Sequence, residues 1–247
     1  MLFSARFTFN DPFDSRPGFR IAQETAEGRK YILEGIKNAI KISPSQRLLE
    51  AQRFSRTQKN PQHGENEIME NFLDKNGILS LASCWENQLM WAHYAKHHKG
   101  ICIGFKSDVD FFATALKVKY SSELPIILRP NDDGDTVLEK TFLTKSDCWK
   151  YEDEWRVIKK TMSQYEIDTT FHEDENIRRL LKDHNGPNLY KFDCSAIESV
   201  TIGMRVSDAD TNFVIDSMKK AANGVPLYKA KKSRLKYSLE RELIGHY

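Results

Sequence analysis

No apolar run in this sequence approaches the roughly 20 residues a membrane-spanning helix needs. The opening residues, Met1-Leu2-Phe3-Ser4-Ala5-Arg6, lack an apolar signal core followed by a small-residue cleavage site. A soluble, cytoplasmic protein with no membrane partner is the expectation. Cysteine is scarce, at positions 84, 102, 148 and 194, and no Cys-x-x-Cys pair exists. That excludes a zinc ribbon, a thioredoxin-type motif and a disulfide scaffold, and predicts reduced, mostly buried thiols. Also missing are Gly-x-x-x-x-Gly-Lys-Ser/Thr, Gly-x-Gly-x-x-Gly, His-Glu-x-x-His and Gly-x-Ser-x-Gly. P-loop NTPase, Rossmann dehydrogenase, zincin and α/β-hydrolase readings thereby lose their main support. With no 20–50-residue repeat and no low-complexity linker, residues 1–247 are expected to form a single domain.

What is present is globular in composition: 247 residues, 40% hydrophobic and 29% charged. The net charge of +2 conceals three blocks. Residues 29–59 carry eight basic residues against Glu34 and Glu50. Residues 131–154 carry eight acidic residues against Lys140, Lys145 and Lys150. Residues 228–241 carry six basic residues against Glu240. Such blocks are usually solvated faces and only sometimes a polyanion surface.

Helical spacing is expected over 31–41, from the Ser43-Pro44 start to Phe54, and over 65–73, 87–98, 108–116, 136–145 and 208–221. Strands are expected over 78–84, 101–105, 118–120, 154–160 and 199–204, with a C-terminal hairpin around Lys232-Ser233. Residues 56–64 read as a loop. The irregular alternation favours an α+β fold, a mixed central sheet flanked by helices, over a doubly wound one.

Three segments are dense in chemistry. In Ser80–Phe105, His93 and His97 have metal-ligand spacing, but no carboxylate completes the face and Lys96 and Lys99 would repel a cation. A cap of the helix C-terminus by His97 or His98 is the blander reading, with Met90, Trp91 and Tyr94 as core. In Lys145–Val157, a strand would point Glu152, Glu154 and Arg156 to one face, the carboxylates about 7 Å apart. That is either a surface ion-pair ladder or a carboxylate pair for a ribose or a cationic transition state, flanked by Trp149, Tyr151 and Trp155. Phe9-Asn10-Asp11-Pro12-Phe13-Asp14 reads as a rigid corner between the apolar anchors Phe9 and Phe13.

In order, these pieces resemble a bacterial family, the domain of unknown function 2971. The likeness rests on the Phe9–Asp14 corner, on Ser80-Leu81-Ala82-Ser83, on Met90-Trp91-Ala92-His93-Tyr94-Ala95 with His98-Lys99-Gly100, and on Lys145, Trp149, Tyr151, Glu152, Glu154 and Arg156. A late apolar strand, Val200–Gly203, completes it. Members usually carry a strand and a helix ahead of the corner, so the chain is expected to lack that first element.

Three functional readings follow. The order of parts resembles an NAD-dependent ADP-ribosyltransferase of the toxin or phage-defence type. Glu154, Glu152 and Arg156 would then be catalytic, and Ser80, Ser83, His93, Tyr94 and Trp149 would contact the nucleotide. NAD would be substrate, with no metal and no Rossmann glycines needed. In the second reading the basic stretches hold nucleic acid in a nuclease-like component, with Glu152, Asp153 and Glu154 offered to Mg²⁺ despite the neighbouring Arg156. The third reading is a non-catalytic regulatory module.

Overall fold

The computed structural model describes residues 1–22, 25–39, 42–57, 62–63, 73–161, 186–221 and 224–247, together with Thr169 and Glu175. Along the chain come β1 (Leu2–Ala5), β2 (Gly18–Ile21), α1 (Ala26–Ala39), α2 (Pro44–Thr57), β3 (Gln62–His63) and β4 (Gly77–Ala82). There follow α3 (Gln88–Tyr94), β5 (Ile101–Phe105), β6 (Leu116–Lys117), β7 (Lys119–Ser121), β8 (Ile126–Arg129), α4 (Gly134–Phe142) and β9 (Thr144–Ser146). The last elements are β10 (Glu154–Lys159), β11 (Asn188–Leu189), β12 (Ile197–Ile202), α5 (Asp208–Ala221), β13 (Pro226–Lys232) and β14 (Leu239–His246). The fold is α+β.

The five-stranded sheet β11-β1-β4-β10-β6 is antiparallel throughout. Mixed pairing occurs in the four-stranded sheet β14-β13-β12-β5, where only β12 and β13 run parallel. Smaller sheets join β3-β2-β8 and β7-β9. Helix α5 lays Met218 on Val200, Ile202 and Leu227 of the four-stranded sheet. Phe3, Leu79 and Val157, from three adjacent strands, pack on Phe111 and Phe112. Helix α3 inserts Trp91 against Ala230 and Leu239 of the β13–β14 hairpin.

Several expectations shift. A strand does precede the Asn-Asp-Pro corner: β1 lies inside the five-stranded sheet, between β4 and β11. Strands β2 and β8 were not legible locally, because each is four residues long and depends on a remote partner. The helix expected over 108–116 is a 3₁₀ turn, Asp110–Thr114. Asp133, accepting a hydrogen bond from the Thr136 amide (2.8 Å), starts α4 early, and residues 144–146 become β9. Except for Leu73, the helix expected over 65–73 lies outside the described residues. The cysteines are free but not mostly buried: Cys84, Cys148 and Cys194 are exposed and Cys102 is half-buried.

Helix α3 ends at Tyr94, not at 98. Lys96, His97 and His98 all take positive φ (47°, 56° and 68°), a left-handed run without glycine. The surrounding backbone holds it: the His98 amide donates to the Trp91 carbonyl (3.1 Å), and its carbonyl accepts from the Arg205 amide (3.0 Å). Consequently His93 and His97 share no helical face. Gly203 closes against the same turn, and a Cβ there would strike the His98 carbonyl. Gly203→Ala is expected to cost about 1–3 kcal/mol. A thermal melt should show Tm lower by several degrees, and an unchanged Tm would mean that the turn yields.

Candidate functional site

The site grows from a residue that no periodicity argument would bury. Arg156, on β10, is 0% exposed. Its Nε donates to Glu154 Oε1 (2.7 Å), and Nη2 donates to Glu154 Oε2 (3.1 Å) and to Asp14 Oδ2 (2.6 Å). Nη1 donates to Asp14 Oδ1 (2.8 Å) and to the Phe142 carbonyl (2.9 Å). The guanidinium fork thus clamps two carboxylates, one from the corner and one from its own strand. Phe9 lies 5.6 Å from the guanidinium carbon. Phe13, the other expected anchor of the corner, is exposed.

A second cation completes the group. Lys145, on β9, is buried and donates to Glu154 Oε2 (3.0 Å) and to Glu152 Oε2, with Asp14 Oδ2 at 3.5 Å. Three buried carboxylates therefore surround two buried cations, an excess of one negative charge. Burial opposes the charge on Lys145, but Glu154, Glu152 and Asp14 outweigh it and raise its pKa. Burial likewise pushes Glu154 up, yet Arg156 prevails, with help from Lys145 and the Ser80 hydroxyl, and its pKa ends below the usual value. Glu154 is a fixed, ionised carboxylate.

Glu152 reaches the cluster by a route that strand alternation does not describe. It ends a 3₁₀ segment, Asp147–Glu152, and Asp153 then takes a left-handed conformation (φ 46°, ψ 53°) before β10 begins. The left-handed residue turns Glu152 and Glu154 to the same side. Asp153 itself points away, to Lys117. Ser83 pins this turn: its amide and its hydroxyl both donate to the Asp153 carbonyl (3.2 and 2.8 Å), and the hydroxyl accepts from Trp155 Nε1 (3.0 Å).

Beside the carboxylates lies a cavity of about 150 Å³, whose lining includes Asp14, Ser80, Tyr94, Lys145, Glu152 and Glu154, together with Asn10 and Met90. Asn87 sets its roof by capping α3, accepting from the Leu89 amide (2.9 Å), while its side-chain amide donates to the Tyr151 carbonyl. Tyr94 consequently donates to Glu152 Oε1 (2.6 Å), and burial and Glu152 together push its pKa well up. Met90 and Tyr94 are cavity residues rather than core, and only Trp91 of that stripe is buried.

Of the expected site residues, Ser80, Tyr94, Glu152 and Glu154 line one cavity, and Arg156 lies beneath it. Ser83, His93 and Trp149 do not line it. Ser83 holds the Asp153 turn, His93 sits beside Tyr151 (6.2 Å), and Trp149 lies over Lys145 (5.2 Å). The surface ion-pair ladder is overturned, because all three charged residues are buried. So is a Mg²⁺ site on Glu152, Asp153 and Glu154, since Asp153 faces away and Lys145 and Arg156 fill the space between carboxylates. No group of three His, Cys, Asp or Glu side chains suited to a metal occurs among the described residues. Sequence reasoning did not assign Asp14, Asn10 or Lys145 to the site, although the corner and Lys145 stood out as motif positions.

Residues 90–157 match the model of a family described as Protein of unknown function (DUF2971). Through this span, a little over a quarter of its length, the chain is similar to that family. The DUF2971 segment contains Tyr94, Lys145, Glu152, Glu154 and Arg156, and leaves Asn10, Asp14 and Ser80 outside it. No curated protein and no solved structure matches the chain.

Breaking the clamp should be costly, since a buried charge losing its partner typically costs about 3–5 kcal/mol. Arg156→Met, which strands Asp14 and Glu154, is expected to lose that much in urea denaturation. A variant as stable as the parent would mean that the clamp adds nothing. The pH dependence follows from Glu154. Its folded pKa is depressed, so its contribution is complete above the unfolded value of about 4.3 and is lost as pH falls through the lower folded value. Denaturation midpoints should be level from pH 5 to neutrality and drop below about pH 4, and the drop should shrink in Glu154→Gln.

Proposed function

We propose that the cavity is the ribose subsite of an ADP-ribosyltransferase-like enzyme acting on NAD. One observation carries this reading: a cavity wall in which three buried carboxylates outnumber two buried cations, with Glu154 held fixed and ionised by Arg156 and Lys145. Such a wall stabilises positive charge developing in a transition state and needs no reorganisation to do so. At roughly 30 Å³ per water, 150 Å³ holds about five waters. That suits a single sugar-sized ring, so the rest of a dinucleotide would lie outside, across the exposed face of Tyr94.

In this scheme the bond between ribose C1′ and the nicotinamide nitrogen breaks, and its electron pair leaves with neutral nicotinamide. Glu154 stabilises the oxocarbenium-like centre and accepts a hydrogen bond from a ribose hydroxyl, with Ser80 alongside. An acceptor O–H or N–H then bonds to C1′, and its proton passes to Glu152, whose orientation Tyr94 and Lys145 fix. Arg156 is a positioning residue here, since it meets Glu154 and not the cavity. Ser83, His93 and Trp149 have no direct role.

The test is mass spectrometry of nucleotides after incubation with NAD. Free nicotinamide should appear and fall about 100-fold in Glu154→Gln. Tyr94→Phe and Ser80→Ala, at exposed lining residues, should lower turnover under conditions where the urea midpoint shows the variant still fully folded. Absence of nicotinamide release by the parent protein, or full activity in Glu154→Gln, would sink the reading.

A further inference from the structure

A second concavity shares no lining residue with the acidic cavity. Two adjoining clefts, about 700 and 550 Å³, share Met204, Arg205 and Lys232 and run along the β13–β14 hairpin. Six basic residues line them: Arg205, Lys229, Lys231, Lys232, Arg234 and Lys236. The one lining carboxylate is Glu242, which is spent on Lys231 (3.4 Å). In a chain of net charge +2, this is a strong local concentration of positive charge.

The floor of the groove carries a histidine. His98 lines it beside Arg205 and Lys232, and its pKa is lowered by burial first and then by Arg205, His97 and Lys232. The ring stays neutral, stacked on Trp91 (centroids 6.2 Å apart, planes 7° apart). The left-handed run at 96–98 holds the groove floor in place through the Arg205 amide.

The tip of the hairpin carries the deciding feature. Arg234-Leu235-Lys236-Tyr237 alternates cations with apolar side chains, and Leu235 and Tyr237 are 93% and 102% exposed. Among the described residues, neither side chain is used for packing. The tip is nonetheless fixed: the Ser233 amide donates to the Ser238 carbonyl (3.0 Å), and Gln88 Nε2 donates to the Tyr237 carbonyl (2.7 Å). A positively charged channel ending in an anchored, unused aromatic is what a flexible polyanion with stacking bases requires. An acidic peptide would use the cations but brings a flat ring to Tyr237 only where it carries an aromatic of its own, whereas every nucleotide brings one. A lipid surface would meet the tip, but it is flat and would leave the cations inside the concavity unsatisfied.

We propose that this groove binds single-stranded nucleic acid, phosphates along Arg205, Lys229, Lys232 and Arg234 and a base stacked on Tyr237. The proposal does not depend on the reading of the acidic cavity.

Fluorescence anisotropy with labelled 20-nucleotide oligo-U and oligo-dT tests it, with a duplex of equal length, heparin and phosphatidylserine vesicles as further arms. Saturable binding to one or both single strands is expected, tighter than to duplex or vesicles. The plot of log affinity against log salt should slope near −3, the value for about four phosphate contacts at roughly 0.7 each. Tyr237→Ala, truncating a fully exposed side chain, should weaken single-strand binding about tenfold or more and leave heparin binding unchanged. Lys232→Glu with Arg234→Glu should abolish both. No single-strand binding at 50 mM salt would overturn the proposal, as would equal affinity for duplex, stronger binding to vesicles, or indifference to Tyr237→Ala. RNA and DNA are distinguished by the oligo-U and oligo-dT arms.

Discussion

A guanidinium removed entirely from water must find partners for all its donors, and Arg156 finds them in segments that have no local reason to meet. Asp14 lies 142 residues away in the chain, on a turn that is closed by its own local hydrogen bonds but has no strand or helix to carry it to β10. Once Arg156 is buried, the corner must close onto β10, β9 must bring Lys145 alongside, and Glu154 has no rotamer to choose. Hydrophobic contacts alone would not specify this arrangement, since they are indifferent to orientation. The two-oxygen, two-nitrogen match between Arg156 and each carboxylate is directional, and it converts three loosely related segments into one wall.

The parts legible in the sequence were those whose pattern is local. Helix α5 at 208–221, the strand over 101–105, the strand expected over 199–204, which runs two residues earlier as Ile197–Ile202, and the C-terminal hairpin follow from short-range periodicity and turn chemistry. Strand β1 was missed because its four residues gain their meaning from β4 and β11, far along the chain. Glu152 and Glu154 were correctly grouped but for a mechanical reason that does not apply: a left-handed Asp153 aligns them, and period-two alternation does not. Alternation also cannot say which face of a strand is covered, which is why a buried clamp read equally well as a surface ladder. Ser80 and Ser83 illustrate the same limit. Both are serines near the end of one strand, yet one lines the cavity and the other fastens a turn.

The two concavities differ in their electrical character. One is small and walled by carboxylates in slight excess. The other is long, basic and open at a hairpin tip. Their separation by charge also sharpens the near-neutral balance of the whole chain, in which opposing surfaces cancel in the sum and not in space.

Helix α3 touches both. Gln88, at its first turn, holds the hairpin tip through the Tyr237 carbonyl, and Tyr94, at its end, holds Glu152. Seven residues at 1.5 Å each make a strut about 10 Å long, capped by Asn87 at one end and stopped by a left-handed turn at the other. A strut that short transmits displacement rather than absorbing it. The hairpin tip and the acidic cavity are thus fastened to opposite ends of one short helix, at Gln88 and at Tyr94, so neither end can be repositioned without a demand on the other's hydrogen bond.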